Sequence, residues 1–461
     1  MTDHRRRILV ATADTLASSM AGPAIRAWHV AATLAGDGHD VRLVSTARAD
    51  LHDDRFAVSF ADDRALRKHV DWCEILVFQG WLLAGRPWIA ASDTILVVDV
   101  YDPMHLEQLE QGRDGGDDAR RAAVRATTAV LNEQLLRADF VVCASELQRS
   151  FWLGQLASVG RINPRTYDED PTLRTLIDVA PFGVDAAPVA DGHGLRGVIP
   201  GIGLRDSVLL WGGGIYNWFD PVTLIDAVAR LVPRHGDLRL VFMGGQHPNP
   251  EIPEMAAAVE ARTRATELGL TGRHVFFNEG WVPYAERHRV LLDADIGVST
   301  HLDHVETAYS FRTRVLDYLW AGLPVVTTGG DALGDMIEAS GAGLTVGAGD
   351  VDALEAALQR LLGDILLRDR CQVGARALAQ TLQWSETLAP VVRFCRNPRR
   401  APDLVDPIVA AELAERPTVP PRPGLRTDVA LARTYLQEGG ISLLAKRVAA
   451  RIKRLTRRPP A

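Results

Sequence analysis

Cysteine is scarce in this chain of 461 residues: Cys73, Cys143, Cys371 and Cys395 lie far apart and form no CxxC pair. That spacing excludes a disulfide framework and a zinc ribbon, and leaves reduced thiols as the expectation. No run of about 18 uncharged apolar residues occurs, which excludes a transmembrane helix. The opening MTDHRRR runs into ILVATA, an apolar stretch too short for a secretory signal, so a cytoplasmic location is expected. No GxGxxG follows that first apolar run, so nicotinamide and flavin binding have no fingerprint here. The net charge of −7 argues against nucleic acid as a partner of the whole chain. What is present is ordinary globular material, 47% hydrophobic and 24% charged, enough for two or three domains at about 150 residues each.

Short β-branched runs alternate with helical patterns along most of the chain. In the first half these are residues 8–13, 40–45, 74–79, 94–100 and 140–145, with a helix expected from about Gly22 to Ala35. Residues 207–212, 238–244, 274–280, 296–300, 324–328 and 344–347 repeat the scheme. Continuous apolar runs separated by helices read as parallel sheets buried on both faces. The fold class is therefore α/β, with two doubly wound Rossmann-like domains joined near residues 186–205 and a cleft between them. The expected boundaries are 1–187 for the first domain and 188–398 for the second. Ligands of such sheets bind outside the carboxyl ends of the strands, which puts the working site in the cleft.

Residues 399–424 carry six prolines and read as a semi-rigid linker, and 425–461 as a basic tail. Within that tail Ile441, Leu444, Val448, Ile452 and Leu455 share one helical face, with lysines and arginines opposite. Such a basic amphipathic helix over 441–458 suits an anionic membrane surface, and also suits packing on the protein with a solvated charged face.

Three stretches carry chemistry. Residues 18–23 form a small-residue turn between the first strand and its helix, where backbone N–H groups favour anions. Gly212-Gly213-Gly214 follow a buried strand, with Asp220-Pro221 suited to cap the next helix. Three glycines in a row cost conformational entropy, so close approach of backbone to a ligand is the preferred account. The third stretch runs from Glu306 to Pro324, with a helix expected from about Ser310 to Ala321-Gly322. Arg312 and Arg314 put positive charge at a helix end that is already positive, which a bound diphosphate would reverse. Two D-x-D strings, Asp168-Glu169-Asp170 and Asp293-Ala294-Asp295, read as solvated acidic residues and not as a metal site.

The order of these pieces resembles the family-4 glycosyltransferases of GT-B fold over about residues 7–398. It includes Gly22 with its helix to Gly38-His39-Asp40-Val41, Ala144-Ser145, Ala180-Pro181-Phe182-Gly183-Val184-Asp185, Gly280-Trp281-Val282 and Asp317 to Val326. The resemblance implies a retaining transfer from a nucleoside-diphosphate sugar to a hydroxyl acceptor, with no cofactor and no metal, residues 1–187 being the acceptor-side domain and 188–398 the donor domain. It places Asp317 at the second Glu of the family's E-x7-E motif, against the ribose, and Trp281-Val282 beside the nucleobase. Ser310, Arg312, Thr313 and Arg314 fall where donor-diphosphate contacts are expected, Arg314 with a catalytic role, and Gly22 where diphosphate and acceptor come close.

Several positions depart from that pattern. Eight residues before Asp317 stands Tyr309, so the first-Glu role falls to Glu306. The family's G-R…K pair is replaced by Gly213-Gly214 and Trp218-Phe219-Asp220, leaving Arg312 and Arg314 as the cations. The histidine of the first domain's loop is replaced by Tyr101, and Tyr101, Asp102 and His105 are alternatives for the group that faces the donor, Asp102 and His105 with a catalytic role. The expected partners are a nucleotide-sugar donor, a glycan or lipid-linked acceptor, and the inner face of the cell membrane through residues 441–458. A phosphorylase needs a lysine for its pyridoxal cofactor, and residues 206–398 contain none. Two alternatives stay open: a nucleotide-sugar epimerase, and a non-catalytic GT-B subunit that supports a partner transferase.

Overall fold

The computed structural model describes residues 5–113, 116–244, 255–280 and 282–414. Seven parallel strands build the first sheet: β1 (Arg7–Thr12), β2 (Asp40–Ser45), β3 (Ala57–Phe60), β4 (Ile75–Gln79), β5 (Ile95–Asp99), β6 (Phe140–Cys143) and β7 (Ile177–Val179). Their spatial order is β3-β2-β1-β4-β5-β6-β7. Six more form the second: β8 (Ser207–Trp211), β9 (Leu238–Phe242), β10 (Val275–Phe277), β11 (Ile296–Ser299), β12 (Val325–Thr328) and β13 (Gly343–Val346). They run in the order β10-β9-β8-β11-β12-β13, again all parallel. Both sheets are thus doubly wound, with strand order reversing between β1 and β4 and between β8 and β11.

The central strands are buried along their length, as their continuous apolar runs require: β4 is buried at every residue and β1 at all but Arg7. Helix Gly22–Gly36 starts with Pro23 in its first turn, where a missing N–H costs nothing, and buries Ala24, Ala27, Val30, Ala31 and Leu34. Arg26 shares that buried face. Its guanidinium donates to Asp99 at 2.5 and 3.0 Å and to the Ala180 carbonyl at 2.7 Å, so the charge is paired and most of its donors are met. Asp220 caps helix Pro221–Leu231 through the Thr223 N–H, as its sequence predicts.

The expected linker is corrected at its start. Residues 402–405 and 407–414 are helical and dock on the first domain, with Leu413 in its core. Asp403 forms a fully buried pair with Arg161, at 2.6 and 3.1 Å, and also accepts from Asn163. Residues 415–424 of the linker, and the basic tail 425–461, lie outside the described residues. The expected boundary at 398 is crossed as well, because helix Ala389–Arg396 packs on the first sheet's layer. Phe394 stacks on Phe140 at 4.6 Å and Arg393 pairs with Asp178 at 3.3 Å. The chain returns past residue 183, where a Cβ would meet the Trp384 backbone at 2.7 Å, so only glycine fits at Gly183.

The acidic string Asp293-Ala294-Asp295 is not solvated. Asp293 is 4% exposed and accepts from the backbone N–H groups of Gly194, Leu195 and Arg196, while Asp295 accepts from Val208. Asp293 thus holds the interdomain turn, and Asp295 the start of β8, to the segment that precedes β11. All four cysteines are free and buried. Among the described residues no helix is long and apolar enough to cross a membrane.

Candidate active site

A cavity of about 380 Å³ lies between the carboxyl ends of the two sheets. From the first domain it takes the turn after β1, with Met20 to Pro23, and the turn after β5, with Tyr101, Asp102 and Pro103. From the second it takes Gly212–Gly214 after β8, and Glu306 with Ser310 to Arg314 after β11. Both flanks therefore sit at points where strand order reverses, the position that α/β sheets offer to ligands. Two helices, Gly22–Gly36 and Thr313–Ala321, turn their first residues to it.

The stretch 305–322 is not one helix. Val305–Tyr309 forms a short turn, Ser310 is extended with ψ 161°, and Thr313–Ala321 begins anew and ends at Gly322 in the left-handed conformation, φ 69°. The break lets Glu306 fold back on Arg312: Nη2 donates to Oε2 at 2.9 Å, and both side chains are at most 3% exposed. Tyr309, at the position of the absent motif glutamate, is spent on domain contact. Its carbonyl accepts from Gln148 Nε2 at 2.7 Å and its ring lies 4.7 Å from Phe151.

Arg314 runs under the glycine turn. Its Nη2 donates to the Gly214 carbonyl at 2.6 Å, and its guanidinium lies 3.7 Å from the Phe219 ring centroid and 4.5 Å from Trp211. Burial draws this group down to about 10, so it is still charged at neutral pH. The glycine turn owes its composition partly to backbone geometry, since Gly213 has φ 79°. Across from it a Cβ on Gly244 would meet the Gly213 carbonyl carbon at 2.7 Å. Arg314 Nη1 is a buried guanidinium N–H group of the cavity wall with no hydrogen-bond partner, while Arg312 Nε faces the buried Asp331 carboxylate at 4.0 Å. Buried charged donors seldom stay unmet, so Arg314 Nη1 marks where an anion would settle.

Opposite them stand carboxyl groups. Burial, then the nearby Glu306 charge, pushes Asp102 up to about 7, and Glu107, hydrogen-bonded to Asp102, is driven up as well by burial and by that carboxylate. Asp317 lines the far end and accepts from Arg287 Nε at 3.1 Å, while Arg287 Nη2 reaches Asp185 at 3.0 Å.

Of the residues singled out from the sequence, Gly22, Asp102, Gly213, Gly214, Val282, Glu306, Ser310, Arg312, Thr313, Arg314 and Asp317 all line this one cavity. Trp281 lies outside the described residues. His105 is the exception and is corrected: it points away from the cavity, its ring 5.5 Å from Phe151 and 5.9 Å from Trp152, and burial lowers it to about 4. It is the third residue beyond Asp102, on helix Met104–Gln111, whose cavity-lining residues are instead Glu107 and Gln111. Tyr101 does line the cavity, with its ring against Phe182 at 4.9 Å. Sequence reasoning missed Arg287, Glu107 and Tyr284. Tyr284 crosses between the domains, its N–H bonded to the Ser18 carbonyl at 3.0 Å and its hydroxyl 3.1 Å from His29 Nε2. A glutamate four residues after the helix-capping Pro103 was the available signal for Glu107; nothing local marks Arg287.

Residues 206–364 match the family model described as glycosyl transferases group 1. Solved structures agree over nearly the whole described chain. The chain has the GT-B fold. Sucrose-phosphate synthase from Thermosynechococcus elongatus superposes with a TM-score of 0.63 at 17% identity, covering 85% of this chain and 98% of that one. WaaG, a glycosyltransferase involved in lipopolysaccharide biosynthesis, gives 0.59 at 15%, covering 85% and 100%. HepE from Anabaena, in complex with UDP-glucose, gives 0.57 at 14%, covering 84% and 100%. No curated protein matches the chain by sequence. Within the GT-B fold the glycine turn after β8 and the broken helix after β11 belong to the matched region, and the turns after β1 and β5 to the other wall.

Proposed function

We propose that the chain is a glycosyltransferase that moves a sugar from a nucleoside diphosphate to a hydroxyl acceptor with retention of anomeric configuration and without a metal. The observation that carries this is the buried guanidinium of Arg314, with Nη1 unmet, beside that of Arg312 at a cavity where two helices start. Fixed cations and helix N-termini take up the negative charge that builds on a departing diphosphate. Asp317 positions the ribose, with Arg287 holding its carboxylate; Glu306 and Asp102 approach the sugar from opposite walls. The bond from the anomeric carbon to phosphate breaks as the acceptor oxygen adds on the same face, and the acceptor proton passes to the leaving phosphate. Closure of the domains across Tyr284 and Gln148 excludes water and limits hydrolysis. Incubating the full-length protein with UDP-, GDP- and ADP-sugars in EDTA, and reading anomeric configuration by NMR, tests the reading. An α-donor should give an α-product; inversion, or no consumption of any donor, contradicts it.

The acceptor under this proposal is a lipid-linked or cell-surface glycan, met at the cytoplasmic membrane face through the basic tail. Seven lysines and arginines fall within residues 446–458, and each adds about 1 kcal/mol near an anionic leaflet. Because residues 402–414 are part of the folded body, the informative truncation ends at Ala414. Sedimentation with anionic vesicles should fall sharply in that shortened chain; equal sedimentation removes the tail's role.

A further inference from the structure

Two buried titratable groups stand behind Arg312, outside the cavity wall: His301, just past β11, and Asp331, just past β12. Each is at most 2% exposed. Asp331 is fixed by its place in the chain. It is the N-cap of helix Ala332–Ser340, and its Oδ1 accepts from the Gly334 N–H at 2.7 Å. That bond leaves Oδ2 to face Arg312 Nε at 4.0 Å and His301 Nε2 at 3.7 Å. Burial lowers His301 to about 3, with the Arg312 charge adding to the effect, so the ring is neutral. The cation that Asp331 faces is therefore Arg312. Burial pushes the Asp331 carboxyl up, while the Gly334 N–H and then the Arg312 charge hold it down.

The guanidinium of Arg312 is thus bracketed on two edges. Nη1 and Nη2 both donate to Glu306, at 3.4 and 2.9 Å, and Nε, on the neighbouring edge, faces Asp331. A guanidinium is planar, so one held at Nε cannot turn without breaking the paired bonds to Glu306. A lone Arg–Glu pair would be free to swing as a unit. Two carboxylates buried against one cation also carry a desolvation cost, and stability alone is a weak reason to keep them.

We propose that Asp331 is a positioning residue: through Arg312 it fixes the carboxylate of Glu306 in the orientation that meets the donor sugar. The proposal deepens the transfer reading and rests on it. Asp331 touches neither nucleotide nor sugar, so its loss should appear in turnover and not in donor binding.

Asp331→Asn tests this, since the amide oxygen can keep the cap on Gly334 while the charge opposite Arg312 Nε is gone. Full-length wild type, Asp331→Asn, Glu306→Gln and the double variant are compared on whichever of UDP-, GDP- and ADP-glucose the wild type consumes. Asp331→Asn should lower kcat at least tenfold, with donor KM and affinity for the bare nucleotide within twofold. Because Asp331 acts through Glu306, the double variant should lose no more than the worse single one. An unchanged kcat, losses that multiply, or a raised KM at constant kcat would overturn the proposal. A second readout needs no turnover. The Nε–H of Arg312, followed by 15N NMR and assigned with Arg312→Lys, should exchange with water at least tenfold faster in Asp331→Asn than in wild type. Equal rates would overturn the clamp, and fast exchange in the wild-type protein would do so even where a variant fails to fold. Titration of the wild type with UDP, GDP and ADP tests the donor reading separately, so the two can fail independently.

Discussion

Arg314 is the residue whose replacement separates folding from function most cleanly. Substitution by methionine, Arg314→Met, keeps an unbranched stem between Phe219 and Trp211 and removes the charge. The guanidinium is drawn down to about 10 by burial, so holding the charge there costs about 3 kcal/mol net of its surroundings. Against that relief stands the lost hydrogen bond to Gly214, worth about 1.5–3 kcal/mol for a charged donor. The two nearly cancel, and stability should change by about 1 kcal/mol or less, a melting shift of about 2–4 °C. Ligand binding has no such compensation, because a diphosphate loses a charge-assisted partner. Affinity for the best nucleoside diphosphate should fall by about ten- to a hundredfold, and turnover by about a hundredfold or more, as for loss of an oxyanion donor. Melting curves, nucleotide titration and donor-consumption rates on the same preparation read all three. A well-folded Arg314→Met protein with wild-type nucleotide affinity would refute the reasoning.

Other outcomes follow from named pairs. Asp102 is held up to about 7 in the folded protein against an ordinary 3.8, so the folded state binds its proton more tightly than the unfolded chain. Its cost to stability is absent below about pH 4, grows as pH rises and is complete above about pH 7. Asp102→Asn should therefore melt at least as high as wild type at pH 8, with its advantage shrinking towards pH 4.5; the opposite slope would contradict the burial. Asp403→Ala strands the fully buried Arg161 and should cost about 3–5 kcal/mol in urea unfolding. A loss under about 1 kcal/mol would mean that residues 402–414 do not dock as described.

The sheets were legible because a strand buried on both faces must be apolar at every position, and runs such as ILVFQ and SVLLW announce this directly. β3 and β7 escaped for opposite reasons. AVSF is an edge strand with no residue fully buried, and IDV is three residues long with a charged centre. The proline-rich stretch misled because its anchor, Arg161–Asp403, joins residues 242 apart and leaves no local pattern. At the site, the glycine turn and the 306–317 stretch were readable from charge in the wrong place on a helix. The same reasoning began the helix at about Ser310 and saw no turn over Val305–Tyr309, and so could not see that the chain folds Glu306 back onto Arg312. His105 failed by helical phase: three positions past Asp102 it faces Phe151 and Trp152, while Glu107 returns to the cavity.

The central claim, that buried guanidinium donors in an interdomain cavity take a nucleoside diphosphate without metal, is tested most directly by thermal shift of the full-length protein with UDP, GDP and ADP, each with and without EDTA. One of the three should stabilise the fold by about 2.7 kcal/mol at a hundred times its dissociation constant, equally in the presence of the chelator. No shift with any of them, or a shift abolished by EDTA, would contradict it.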